Sequence, residues 1–403
     1  MIHFRFVQAA LEPFQNLMES LQKVGSTVTT FDLLVTPTKG VDGAVDTVTF
    51  EISRPNVYAY VVVEEGIEVL DGSGEAVLLS SSYLQNLPAN MMPSQPIELQ
   101  VRDRIYVTYP DSPTMKDTKF DFEYAENATA FDRRPAVQAQ LGLNSDALKA
   151  LGGLLEAASQ YTFKKKQDDP MSQVHFKATA AGQIEIEATT GQEVFFADTT
   201  IDGFVNYSQA DLEVMASPNI WQAGLLLGRL QKQDLFIGWD ETSISYISGK
   251  AAIIHARVSF QEFPPVGATI KNWVAEGTNA SFNASINPKA LYDRLKYLES
   301  VGVQSRSQEP CFLLSASGND AKVKLQGFAS SGSAVISDKS TLDIEWTRQD
   351  GEVRLPARLV LQILSTATTY GLTQFFDLEG IPSVFFSDAE NKMFILVSTE
   401  SES

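Results

Sequence analysis

"FNASINPKALYDRLKYLESVG" (residues 282–302) decides how the whole chain is read. Phe282, Ala284 and Ile286 alternate with polar residues, the period of a half-buried strand. Asn287 can cap a helix, and Pro288 suits the first helical position, where no N–H is needed. Leu291, Leu295 and Leu298 follow at spacings of four and three and make one apolar stripe. The pattern predicts a strand running directly into an amphipathic helix.

The same design occurs twice earlier. "LGLNSDALKALGGLLEAASQ" places Leu141 and Leu143 before a helix opened by Ser145 or Asp146, and "FRFVQAALEPFQNLMESLQKV" starts from Phe4 and Phe6. Each copy leads into short alternating strands, then a second helix ("SSYLQNLPA" at 81–89, "SPNIWQAGLLLGRL" at 217–230, "LPARLVLQILSTAT" at 355–368), then more strands. A period this long indicates tandem domains rather than a solenoid. Boundaries near "DRRP" and "AEGTNA" give domains over 1–135, 136–278 and 279–403. The expected fold is α+β: three domains, each with two helices packed on a mainly antiparallel sheet.

Composition narrows the function. The chain has 403 residues and a net charge of −19, which disfavours non-specific nucleic-acid binding by the whole surface, so any such contact must be local. No apolar run is long enough to form a membrane helix, and the N-terminus has no signal-peptide pattern. A single cysteine, Cys311, excludes an intramolecular disulfide and fits a reducing, cytoplasmic setting; it lies in the apolar run "CFLL" and reads as core. His3, His175 and His255 are scattered, with no metal-ligand spacing. "DGSGEA" (71–76) lacks the Gly-Lys-Ser/Thr of a phosphate loop. The expectation is no enzyme, no cofactor and no metal.

The ordered repeats resemble the bacterial-type DNA sliding clamp, the β subunit of DNA polymerase III, over nearly the whole chain. "IEIEATTGQEVFFAD" resembles the strand-turn-strand of the second clamp domain, "VSFQEFPPV" the strand after it, "LPARLVLQIL" a clamp helix and "MFILVST" the closing strand. Where the family has Asp, His, Arg and Leu in that turn, Thr190, Gln192, Glu193 and Val194 stand here. The resemblance implies a head-to-tail homodimeric ring around double-stranded DNA, without sequence preference, that tethers a DNA polymerase and is opened by a clamp loader. It also implies a peptide pocket between the second and third domains at Met171, Thr189, Gly191, Val194, Pro264, Ile270, Ile395 and Val397. The rival is a non-enzymatic assembly protein of clamp-like domains that does not encircle DNA.

Within such a ring, cations opposite the apolar stripes would face the phosphates. On the last domain's first helix these are Lys289 and Lys296, with Arg294 at the flank. "FKKKQDD" puts Lys164, Lys165 and Lys166 in a loop after the second domain's first helix, and Arg229, Lys232 and Arg358 lie on second helices. The first domain would present Asn16, Ser20 and Lys23, and the second Ala150, Gly153 and Ala157, giving a weakly positive channel.

Overall fold

A computed structural model of the chain describes residues 2–24, 31–85, 94–102, 104–110, 118–120, 134–164, 169–257, 262–275, 283–302, 311–317, 320–329, 332–338, 345–346, 350–378, 381–390 and 392–398. The fold is α+β, and the strand pairings among these residues are antiparallel. The helices are α1 (Glu12–Gln22), α2 (Ser82–Gln85), α3 (Ser145–Ser159), α4 (Pro218–Gln231), α5 (Val266–Ala275), α6 (Pro288–Gly302) and α7 (Ala357–Tyr370).

Local signals set most of the helix ends. Asn287 caps α6 by accepting from the Ala290 N–H at 3.0 Å, with Pro288 as the first helical residue. α3 starts at Ser145, as expected, and is capped by Asn144, whose side chain accepts from the Ala147 N–H at 2.9 Å. Gly371, at φ 68°, ends α7. In α5, Val266, Ile270, Trp273 and Val274 fall at helical spacing and pack together in one apolar cluster, a stripe not among those expected from sequence.

One contact joins the repeats. In the first unit the third strand after α1, Val57–Val63, pairs with Ala251–Ala256, the last strand of the second unit, and Val57 stands opposite His255. In the second unit the third strand after α3, Glu193–Thr200, pairs with Met393–Ser398, the last strand of the third unit, and Glu193 stands opposite Val397. The sheets of neighbouring units therefore merge into two nine-stranded sheets. The corresponding strands at the chain's two extremes, Gly332–Asp338 and Thr118–Phe120, are each the edge of a smaller sheet.

The helices form a row against these sheets: α1 packs on α4, α4 on α3 and α7 on α6, while α3 meets α7 through Gly153 and Tyr370 and through Gln160 and Gln362. Across the unit boundaries, Asn16 donates to the Leu230 carbonyl at 3.0 Å, Gln231 to the Pro13 carbonyl at 3.0 Å, and Gln362 to the Gln160 carbonyl at 3.2 Å. The cores cross the boundaries too. Leu151 and Phe195 share a cluster with Leu364 and Ile395, while Ala223 and Leu227 of α4 complete the first unit's core. Each leucine-sized side chain buried there contributes about 1.5–3 kcal/mol.

Two helix-interior glycines separate space from propensity. A methyl on Gly224 would stand 2.1 Å from the ring of the fully buried Tyr246, whereas one on Gly152 would meet nothing nearer than Leu225 Cδ1 at 3.9 Å. Propensity alone favours alanine by about 1 kcal/mol at both. We expect Gly152→Ala to gain up to about that amount and Gly224→Ala to lose about 1–3 kcal/mol through overpacking. Urea unfolding of both variants measures this; shifts of the same sign would show that the α4–Tyr246 contact is not tight.

Candidate functional site

A helix in a row is covered by the sheet below and by a neighbour on each flank, so only a narrow strip stays open. The expected channel faces of α1 and α3 change for that reason. Ser20 is fully buried and donates to the Asn16 carbonyl at 2.8 Å, and Asn16 is turned toward α4. Ala157 is buried, and a methyl on Gly153 would lie 3.0 Å from the Tyr370 hydroxyl of α7. Ala150 remains exposed, as does Lys149, a cation of α3 absent from the expected set.

Most of the other expected cations are open to solvent. Lys23, Lys164, Arg229, Lys232, Lys289, Lys296 and Arg358 are exposed and Arg294 is half-buried; Lys165 and Lys166 lie outside the described residues. Some are held locally. Lys232 pairs with Glu12 at 3.2 Å, Lys296 donates to the Tyr292 hydroxyl at 3.1 Å, and the Arg294 guanidinium lies 5.7 Å from the Tyr297 ring centre. Among the side chains described, the row exposes acids at Glu12, Glu19, Asp146, Glu156 and Asp293. Within the helices the exposed bases Lys149, Arg229, Lys289, Lys296 and Arg358 equal these acids in number. Lys23, Lys164 and Lys232 lie beyond the helix ends, where Asp234 is exposed too, whereas the chain as a whole has 31 bases and 50 acids. The row is thus less acidic than the molecule as a whole, which suits it to a few salt-sensitive phosphate contacts.

The expected peptide pocket is divided by the sheet. Glu193, Phe195, Ile395 and Val397 point toward the helix row, where Phe195, Ile395 and Val397 belong to the main core. Val194 pairs with Leu396 and points the other way, into a cluster with Ile270, Phe196 and Phe394 under α5, which the half-buried Pro264 precedes. Strand alternation therefore separates Ile395 and Val397 from Val194 and Ile270. Met171, Thr189 and Gly191 do come together. Gly191, at φ 88°, faces Met171 Sδ at 3.7 Å from its ideal Cβ position, donates its N–H to the Thr189 hydroxyl at 3.0 Å, and that hydroxyl donates to the Glu193 carbonyl at 2.9 Å. A non-glycine residue at 191 would be strained.

Glu193 supplies the site's unusual electrostatics. Burial raises its carboxyl above the usual carboxylate range, while the Thr190 hydroxyl and the charges of Arg358 and Lys164 pull it part of the way back. The α7 arginine and the lysine after α3 are therefore near the same turn. Cys311 and Trp346 have side chains outside those described, and Trp221 and Trp239 are buried. Among the described residues, no group of three or more His, Cys, Asp or Glu is placed to hold a metal, and no helix is long and apolar enough to cross a membrane.

A row of helices backed by antiparallel sheets that merge from unit to unit is the architecture of DNA sliding clamps. The chain superimposes at full length on solved members of that class. They include the DNA polymerase III β subunit of Pseudomonas aeruginosa (14% identity, TM-score 0.73, 99% of both chains covered) and the DNA polymerase III β chain of Streptococcus pneumoniae (13%, 0.74, 100% of both). The DNA polymerase sliding clamp of Bacillus subtilis is similar as well (11%, 0.74, 100% of both). At these identities the likeness is one of fold. No protein-family model matches the sequence, and no curated protein matches it.

The raised Glu193 carboxyl makes a pH-dependent difference in stability. The folded chain holds this proton more tightly than the unfolded chain, so its contribution is complete in acid and is lost as pH rises from the ordinary 4.5 through the folded value. Glu193→Gln removes that loss. We expect the variant to melt above the parent at pH 8, with the gap closing toward pH 4; a gap independent of pH would place the carboxyl in contact with water.

Proposed function

We propose that this chain is a DNA sliding clamp, a non-enzymatic processivity factor that closes as a homodimeric ring around double-stranded DNA and tethers a DNA polymerase. The observation that carries the reading is the repeated junction. Inside the chain, a unit's third strand pairs with the last strand of the next unit at both boundaries. The pattern leaves one third strand, Gly332–Asp338, and one last strand, Thr118–Phe120, at sheet edges. Two copies arranged head to tail would satisfy both edges twice and close a ring. The full-length likeness to solved clamps, and a helix row less acidic than the chain as a whole, support the same reading.

In this reading the domains span 1–135, 136–278 and 279–403, and the protein works in the cytoplasm with a clamp loader and needs no cofactor. The DNA-facing set is Lys23, Lys149, Lys164, Arg229, Lys232, Lys289, Arg294, Lys296 and Arg358, with Lys165 and Lys166 continuing the loop. Partner peptides would dock around Met171, Thr189 and Gly191, beside Glu193 and Arg358, and Pro264 would border the outer side. Because Glu193 replaces a family arginine, those peptides would carry less negative charge than is usual for the family.

Two measurements test the ring. The parent should have a solution mass of twice 44.2 kDa. Alternate residues of an edge strand present their N–H groups to opposite sides, so one of Val335→Pro and Ile336→Pro should break the outward ladder and give a monomer. Two dimeric variants would move the interface elsewhere.

Retention on DNA should be topological, because sparse cations on an acidic chain bind phosphate weakly once salt is raised. Protein loaded on closed circular DNA should survive a high-salt wash and run off when the circle is cut. Equal stripping from circular and linear DNA would favour an assembly protein that does not encircle DNA.

A further inference from the structure

The first and second units meet at a pocket of about 300 Å³ that the clamp reading does not use. It lies at the counterpart of the Glu193 turn. The hairpin Arg54–Val57 takes the place of Thr190–Glu193, with two residues in each turn, and His255 stands opposite Val57 as Val397 stands opposite Glu193. The start of α4 fills the role that the start of α7 has at the other junction, so that Asn219 corresponds to Arg358.

The pocket joins two chemistries. Its floor is apolar, formed by Leu21, Phe31, Ile52, Ile220 and Ile244. Its rim gathers cations on a chain of net charge −19. The Arg54 guanidinium lies over the Phe31 ring, 4.2 Å from its centre. Arg257 donates to the Asp240 carbonyl at 2.6 Å, and Arg134 donates to the carbonyl of Pro55, itself a wall of the pocket. His255 also lines the pocket, with burial holding its imidazole below the ordinary range and therefore neutral near pH 7.

Arg257 is incompletely satisfied from within. The Asp240 carboxylate is engaged by the N–H and hydroxyl groups of Thr242 and Ser243. Arg257 Nε is buried without an acceptor. Burial draws the Arg257 guanidinium below its ordinary range, against the opposing pull of Asp240 and Glu241. At the positive end of α4, the N-cap Ser217 makes no side-chain cap bond.

We propose that this pocket docks a short peptide of a partner protein in which an aliphatic or aromatic side chain is followed closely by a carboxylate. The apolar side chain fills the floor, and the carboxylate meets Arg257, Arg54 and the first turn of α4 in charge-assisted hydrogen bonds. A nucleic-acid backbone would use the cations and leave the apolar floor empty, so the floor favours a peptide. The site does not require the chain to encircle DNA.

The test is selection of random decapeptides displayed on phage against the full-length chain, followed by affinity measurements on the enriched sequences. The expected peptides place Asp, Glu or the C-terminus within two residues of a large apolar side chain. Their binding should weaken at least about tenfold with Arg257→Gln, stay unchanged with Glu193→Gln at the other junction, and fall as salt is raised. Asn219→Glu guards against misfolding of the Arg257 variant. It changes an exposed residue in the first turn of α4, where an acid suits the helix, and sets a repelling carboxylate at the pocket mouth. Full-strength binding by that variant would overturn the proposal. So would enriched peptides that lack an acid, or displacement of the peptides by a single-stranded oligothymidylate.

Discussion

The backbone ladder between Val57–Val63 and Ala251–Ala256, and its repeat between Glu193–Thr200 and Met393–Ser398, is the constraint on which the rest of the molecule depends. Each ladder makes two sheets into one, and the helices on those sheets must then lie side by side. The helix row, the shared cores and the pocket between the first two units follow from that single geometric step. A mutation that disturbs one of these strands therefore acts on two units at once. Its cost cannot be confined to a local contact.

Charge is distributed in keeping with this layout. An acidic chain whose helix row exposes as many bases as acids presents one face that repels anions less than the rest of its surface does. Neither junction repeats the other chemically. The same hairpin-and-strand frame holds a buried glutamate with a raised pKa at one site and a group of arginines at the other. A repeated backbone has kept its geometry while its side chains have diverged toward opposite charge.

Much of the fold could be read directly from sequence because it is local. The Leu291 and Leu295 stripe, the Asn287 cap and the terminal glycine of α7 are short-range signals, and each lies where the chain uses it. The open faces of α1 and α3 were harder to read. A helical wheel has one covered side, whereas these helices also have covered flanks, which bury Ser20 and Ala157. The expected peptide pocket mixed residues from both faces of one sheet, because matching a strand to a family motif does not determine the side to which each residue points. The pocket between the first two units had no sequence signal at all. Its residues run from Leu21 to Arg257 and meet only through pairing across the sheet.

The merged sheets also bear on mechanics. A hinge needs a segment whose dihedrals can change without breaking many hydrogen bonds, and a continuous antiparallel ladder offers none. Both boundaries within the chain are therefore stiff. In the proposed ring, a gap that admits or releases a long polymer would then open at the edge strands Gly332–Asp338 and Thr118–Phe120, where the compliance would be concentrated.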